Sequence, residues 1–92
     1  MIILHVVAGS WDGTRLTTDE TGGPFLHLCT EEQLEGVLDR YFADAGPVTI
    51  LEVDSTRLGD ALVWEEGEPG EDFPHLYGPL EPDSVVATRN AT

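Results

Sequence analysis

Phe73-Pro74-His75-Leu76-Tyr77-Gly78-Pro79-Leu80 is the stretch around which the rest of the chain can be read. Each proline pushes the residue before it toward extended backbone, so Phe73 and Gly78 are held out of helix. A strand sends alternate side chains to one face, which sets His75 and Tyr77 side by side. Immediately upstream, Glu65-Glu66-Gly67-Glu68-Pro69-Gly70-Glu71-Asp72 is acidic and broken by Gly and Pro, and predicts an exposed loop. A stiff polar-aromatic segment behind such a loop is a common way to line a pocket. The competing reading is a buried edge strand whose His75 is simply hydrogen-bonded.

Working back toward the N-terminus, the segment with the strongest local signals begins at Thr30. Thr30 and Gln33 have capping-box spacing, and Glu31 and Glu32 suit the positive end of a helix dipole. Leu34, Val37, Leu38, Tyr41 and Phe42 follow at helical spacing, predicting one main helix over about residues 30–45 that stops at Gly46-Pro47. Ahead of it, Ile2-Ile3-Leu4-His5-Val6-Val7 reads as a strand covered on both faces. Phe25-Leu26-His27-Leu28-Cys29 reads as a second strand, with Phe25, His27 and Cys29 on one face. The polar, Thr-rich Arg15–Gly23 is a loop. Beyond the helix, strands are expected at Val48–Val53, Ala61–Trp64 and Val85–Thr88, with a turn or short helical piece at Arg57–Asp60. The sum is a single small α+β domain over residues 1–92, rich in strands.

The totals narrow the function. The chain has 92 residues, 18 acids against four arginines, no lysine and a net charge of −14. Such a field repels nucleic-acid backbones and anionic membranes, so neither partner is expected. No apolar run is long enough to span a bilayer, and no basic region precedes Ile2–Val7 as in a signal peptide. A single cysteine, Cys29, excludes an internal disulfide and suits a reducing, cytoplasmic compartment.

All three histidines, His5, His27 and His75, sit inside apolar strand-like runs. A buried imidazole needs partners, because an unpaired buried polar group costs about 1–3 kcal/mol. Three of three in so short a chain point to convergence on one site. A zinc site needs three or four ligands, and these histidines show no close His-x-His or His-x-x-x-His pair, so no metal is assigned. Cys29 paired with His27 as a nucleophile is a second arrangement, weakened because a cysteine in an apolar run is ordinarily inert core. The third is ligand recognition by imidazole hydrogen bonds, with Trp11 or Tyr77 as a stacking surface.

These pieces resemble the bacterial domain-of-unknown-function family 952. The resemblance lies in Ile3-Leu4-His5-Val6 with Trp11, Phe25–Thr30 followed by Glu32-Gln33-Leu34, Leu51–Asp54, Trp64-Glu65 and, above all, Phe73–Leu80. That family, which has no assigned activity, is similar to the ADP-ribosyltransferase-like superfamily. The resemblance implies a split, strand-rich core around a cleft for NAD or another small nucleotide. It implies His5 and His27 as the positions that contact the ribose. With His75 they are the catalytic candidates, and His5, Trp11, His27, Thr30 and Tyr77 are the candidate cofactor contacts, His75 and Tyr77 lining the far wall. Transfer of ADP-ribose or phosphate to an unknown acceptor is the activity implied. No glutamate falls on a motif position, so Glu52, Glu65 and Glu66 are candidates by chemistry alone. Arg15 and Arg57 match the relatives' phosphate-binding arginines only loosely. The alternatives are a non-catalytic acidic module that binds a protein partner on the same fold, and a three-histidine metal site.

Overall fold

The β-branched run at the N-terminus forms a strand paired along its whole length. In the computed structural model, which describes residues 1–17, 19, 23–67 and 70–91, the strands are β1 (Ile2–Ala8), β2 (Leu26–His27), β3 (Val48–Asp54), β4 (Leu62–Gly67), β5 (Glu71–Leu76) and β6 (Val85–Ala91). The helix α1 is Leu34–Tyr41, and single 3-10 turns lie at Ser55–Arg57, Gly59–Ala61 and Pro82–Ser84. One antiparallel sheet has the order β1-β3-β6, and a second has the order β2-β5-β4. Among the described residues the two sheets are joined by one rung, where Leu4 and Cys29 exchange both main-chain hydrogen bonds at 2.7 and 2.8 Å.

β1 and β3 are apolar on both faces because each face has its own core. Ile3, Leu51 and Val53 pack with Leu26, Leu76 and Leu80 on one side. Leu4, Val6, Val48 and Ile50 pack with Leu34 and Phe73 on the other, the side covered by α1. Ile3, Leu26 and Leu51 are wholly inaccessible to solvent, and truncating such a leucine or isoleucine to alanine costs about 2–5 kcal/mol. No helix among the described residues is long and apolar enough to cross a membrane.

The capping box forms as expected. The Thr30 N–H donates to Gln33 Oε1 at 3.0 Å, and the Gln33 N–H to Thr30 Oγ1 at 3.2 Å. The helix is shorter than the expected 30–45. Its first turn is tightened by i→i+3 bonds from Gln33 to Thr30 and from Leu34 to Glu31, so regular helix starts at Leu34. It ends at Tyr41 because Phe42 turns into the core, and Ala43-Asp44-Ala45 has little to bury before Gly46, at φ 74°, and Pro47 redirect the chain.

The larger correction concerns the acidic segment. Most of the described part of Glu65–Asp72 is strand, not loop: Glu65, Glu66 and Gly67 close β4, and Glu71 and Asp72 open β5, paired from Leu62 opposite Leu76 to Gly67 opposite Glu71. Glu68 and Pro69 lie outside the described residues. An edge hairpin leaves most of its carboxylates in water while its backbone is paired, so acidity did not exclude strand here. Phe25–Cys29 is likewise shorter as a strand than expected. Leu26 and His27 pair with β5, and the chain then crosses to β1 at Cys29. Within Arg15–Gly23, Leu16 bridges to Leu80, and Thr18 and Glu20–Gly22 lie outside the described residues.

Candidate functional site

The site is built where the two sheets part. After the Leu4–Cys29 rung, the next mutual pair of an antiparallel ladder would be Val6 with His27, but no such rung forms. The odd-numbered residues of β1 bond to β3, a pattern continued by Met1 to Ser55 and Gly9 to Pro47. The N–H and C=O of Val6 therefore face the opening. His5, buried at 4% exposure, reaches across it: its Nδ1 lies 2.7 Å from the carbonyl oxygen of His27. A carbonyl only accepts, so Nδ1 carries the proton and donates.

Two imidazole–carboxylate pairs stand on the far side. Asp19 Oδ2 accepts from both the backbone N–H and the Nδ1 of His27, each at 2.8 Å. Glu65 Oε1 accepts from His75 Nδ1 at 2.8 Å and from the Tyr77 hydroxyl at 2.6 Å. Because a carboxylate is an acceptor, both rings hold their proton on Nδ1 when neutral, leaving the Nε2 lone pair as an acceptor. Cross-strand register makes the rings neighbours: His27 lies opposite His75, with ring centroids 5.3 Å apart, edge to face. Phe25 stacks on His75 at 4.1 Å and meets the His27 and Tyr77 rings at 4.7 and 5.0 Å. The Tyr77 hydroxyl, and after it His75, hold the Glu65 carboxyl below its usual range. The same bond pushes the Tyr77 phenol up.

These groups open onto a cavity of about 510 Å³. His5 and Val6 of β1 line one side, and Val37, Tyr41 and Phe42 from the end of α1 cover it. Phe25, His27, His75 and Asp19 form the opposite wall, and Glu66, Gly67 and Phe73 close the hairpin end. Cys29 lies in the wall, but burial, and after it the charge of Glu31, pushes its thiol up to about 12. It stays protonated at neutral pH, and the ring of His27 is committed to Asp19, so a Cys29–His27 nucleophilic pair is not formed.

The histidines thus come together in part. All three line the same cavity; His27 and His75 touch through their rings, whereas His5 stands in the β1 wall and meets His27 through its main-chain carbonyl. Among the described residues, no three His, Cys, Asp or Glu side chains are placed to hold a metal. Tyr77 stands beside the cavity on Glu65. Trp11 does not line the cavity: it packs against the Ile3 and Leu26 core, and its indole N–H donates to the Thr14 carbonyl at 2.9 Å. Thr30 is occupied by the helix cap. Of the three glutamates proposed by chemistry, Glu65 anchors the site, Glu66 lines it, and Glu52 pairs with Arg89 at 3.0 Å elsewhere.

No arginine lines the cavity. Arg15 pairs with Glu81, Arg57 with Asp54, and Arg89 with Glu31 and Glu52. Sequence reasoning missed Asp19, Phe25 and the aromatic side chains of α1 and β5 as parts of one wall. Phe25 shared a strand face with His27, a signal that was available. Asp19 gave none, because its contact depends on a loop path.

One comparison with known proteins identifies the family. The family model described as "Protein of unknown function (DUF952)" matches residues 7–88. The crystal structure of protein CC0527 from Caulobacter crescentus is similar, with 28% identity and a TM-score of 0.86, over 98% of this chain and 85% of that one. The solution structure of the same protein gives 27% identity and a TM-score of 0.79, over 96% and 82%. No functionally curated protein matches. The split-sheet α+β chain with its paired imidazoles belongs to the DUF952 family of proteins of unknown function.

Proposed function

We propose that the cavity binds a nucleoside-type ligand of the NAD class, in the manner of an ADP-ribosyltransferase-like domain. The observation that carries this reading is the pair of carboxylate-oriented imidazoles, His27–Asp19 and His75–Glu65, set 5.3 Å apart in the wall of a largely apolar cavity. Its volume of about 510 Å³ lies within the range of small-molecule sites, roughly 300–1,000 Å³. Aromatic and aliphatic walls suit a planar base. The Nε2 acceptors of His27 and His75 suit ribose hydroxyls, and the open main chain of Val6 offers the donor and acceptor that a carboxamide needs. The nicotinamide–ribose half is the part that fits, since the wall holds no cation for a diphosphate.

If transfer occurs, the ribose C1′–N bond breaks with both electrons leaving on nicotinamide. The acceptor adds to C1′ and loses its proton to an imidazole Nε2. The negative charge of Asp19 in the wall, and of Glu65 behind the His75 ring, would favour the positive charge that grows on the ribose. The second reading, binding without transfer, is favoured by the commitment of Glu65 to both His75 and Tyr77.

The test is the unfolding midpoint with millimolar NAD⁺ or nicotinamide riboside, followed by an assay for released nicotinamide. Ligand at 100 times its Kd stabilises by about 2.7 kcal/mol, a rise of many degrees in a domain of this size. A rise lost in His75→Ala supports the site, and nicotinamide release then separates the two readings. No rise with either ligand defeats both.

A further inference from the structure

The electrostatics of the wall narrow the ligand further, resting on the reading of this cavity as a ligand site. Among the described residues, the Asp, Glu, Lys and Arg side chains that line the cavity are all acidic: Asp19, whose side chain is only 10% exposed, and Glu66. Glu65 stands one hydrogen bond behind the His75 ring. The chain has no lysine, three of its four arginines are paired elsewhere, and Arg40 is not part of the wall. The last turn of α1, the negative end of its dipole, supplies Tyr41 and Phe42 to the same cavity. Because both imidazoles direct Nδ1–H at carboxylates, their remaining nitrogens present lone pairs when neutral. Phe25, Tyr41, Phe42 and Phe73 add ring faces and edges, and ring faces attract cations.

We propose that the cavity selects a planar organic cation of the N-alkylpyridinium class over the neutral ring and over an anion built on the same ring. A pyridinium carries delocalised positive charge on a flat apolar body. It is desolvated more easily than an ammonium ion and matches a wall that is both aromatic and acidic. An anion would face the field of Asp19 and Glu66 with no compensating arginine. Within the NAD class, the preferred fragment is then the positively charged nicotinamide riboside, ahead of the intact dinucleotide with its diphosphate.

The test titrates 1-methylnicotinamide, nicotinamide and nicotinate into the ¹⁵N-labelled protein, following the amides of Val6, His27 and Phe73 at low and high salt. The expected result is binding of the methylated cation about tenfold tighter than nicotinamide, with no binding of nicotinate and a preference that shrinks as salt rises. Asp19→Asn is expected to narrow the ratio between cation and neutral ring, whereas a merely structural loss would weaken both alike. Equal binding of nicotinamide and its methylated form overturns the cation selectivity and leaves the nucleoside site standing. Tighter binding of nicotinate overturns the selectivity as well. No response from any of the three overturns the ligand site itself.

Discussion

His5 Nδ1 donates to the carbonyl oxygen of His27 at 2.7 Å, across the point where the β1 sheet and the β5 sheet separate. One side chain thus bridges the two strands where a main-chain rung is missing, and it is expected to hold the cleft at this width. Replacing His5 with alanine leaves that carbonyl without its donor and opens a void between β1 and β2. The cost of the lost partner alone is about 1–3 kcal/mol. For a domain of this length, the midpoint falls by roughly 4–8 °C for each kcal/mol. His5→Gln, which retains a donor, is expected to recover part of the loss. Thermal unfolding of the two variants checks this, and equal midpoints for His5→Ala and the parent would show that the bond does not hold the cleft.

Glu65 makes the acid limb of stability predictable in sign. Its folded pKa lies below the ordinary value of 4.5, so its contribution is fully present above that value and is lost as pH falls through the folded pKa. Glu65→Gln should therefore lower the midpoint at neutral pH and flatten its decline below about pH 4.5. Tyr77 has the opposite sense. Its pKa is raised above 10.0, so its contribution is present below that value and disappears as pH rises through the folded pKa. Tyr77→Phe should remove that alkaline loss. Midpoints measured across pH for the parent and both variants test the pair, and parallel curves would remove the shared hydrogen bond from the account.

The sequence revealed those parts whose physics is local. The Thr30–Gln33 cap, the apolar runs of β1 and β3, and the shared face of Phe25 and His27 all follow from spacing along the chain. The pairing of Glu65 with His75 does not, because it needs the hairpin register that brings β4 alongside β5. The acidic, Gly- and Pro-containing composition of 65–72 pointed to a loop because composition records solvation. An exposed edge strand is as solvated as a loop. The helix was overextended for a similar reason: Phe42 continues the helical spacing and its N–H still bonds to Leu38, but its own backbone leaves helical geometry and Ala43–Ala45 beyond it are exposed. Trp11 was read as a stacking surface, although an aromatic residue beside a Gly turn serves equally well as a cover for a core.

Cys29 provides a chemical probe of the same architecture. Its thiol is buried and pushed up to about 12, so almost none is thiolate at neutral pH. Reaction with an aromatic disulfide reagent at about pH 8 should proceed only as fast as the protein opens, and should be complete at once in denaturant. Rapid labelling of the folded protein would show a reactive thiol on the cavity wall. A ligand that occupies the cavity should slow the reaction in proportion to its saturation, giving a binding readout independent of thermal unfolding.

The last expectation concerns where the protons sit. In neutral imidazoles free in water the proton favours Nε2, but His27 and His75 each face a carboxylate oxygen 2.8 Å from Nδ1. Both should therefore be Nδ1–H tautomers when neutral, with Nε2 as the unprotonated nitrogen. Long-range ¹H–¹⁵N spectra at about pH 8.5, well above the ordinary histidine pKa, distinguish the two nitrogens by their shifts. Asp19→Asn should restore a mixed tautomer at His27 while leaving His75 fixed, and Glu65→Gln should do the reverse. If His27 and His75 instead carry their protons on Nε2, neither offers an acceptor to a ribose hydroxyl through that nitrogen, and the reading of the cavity as a nucleoside site loses its principal support.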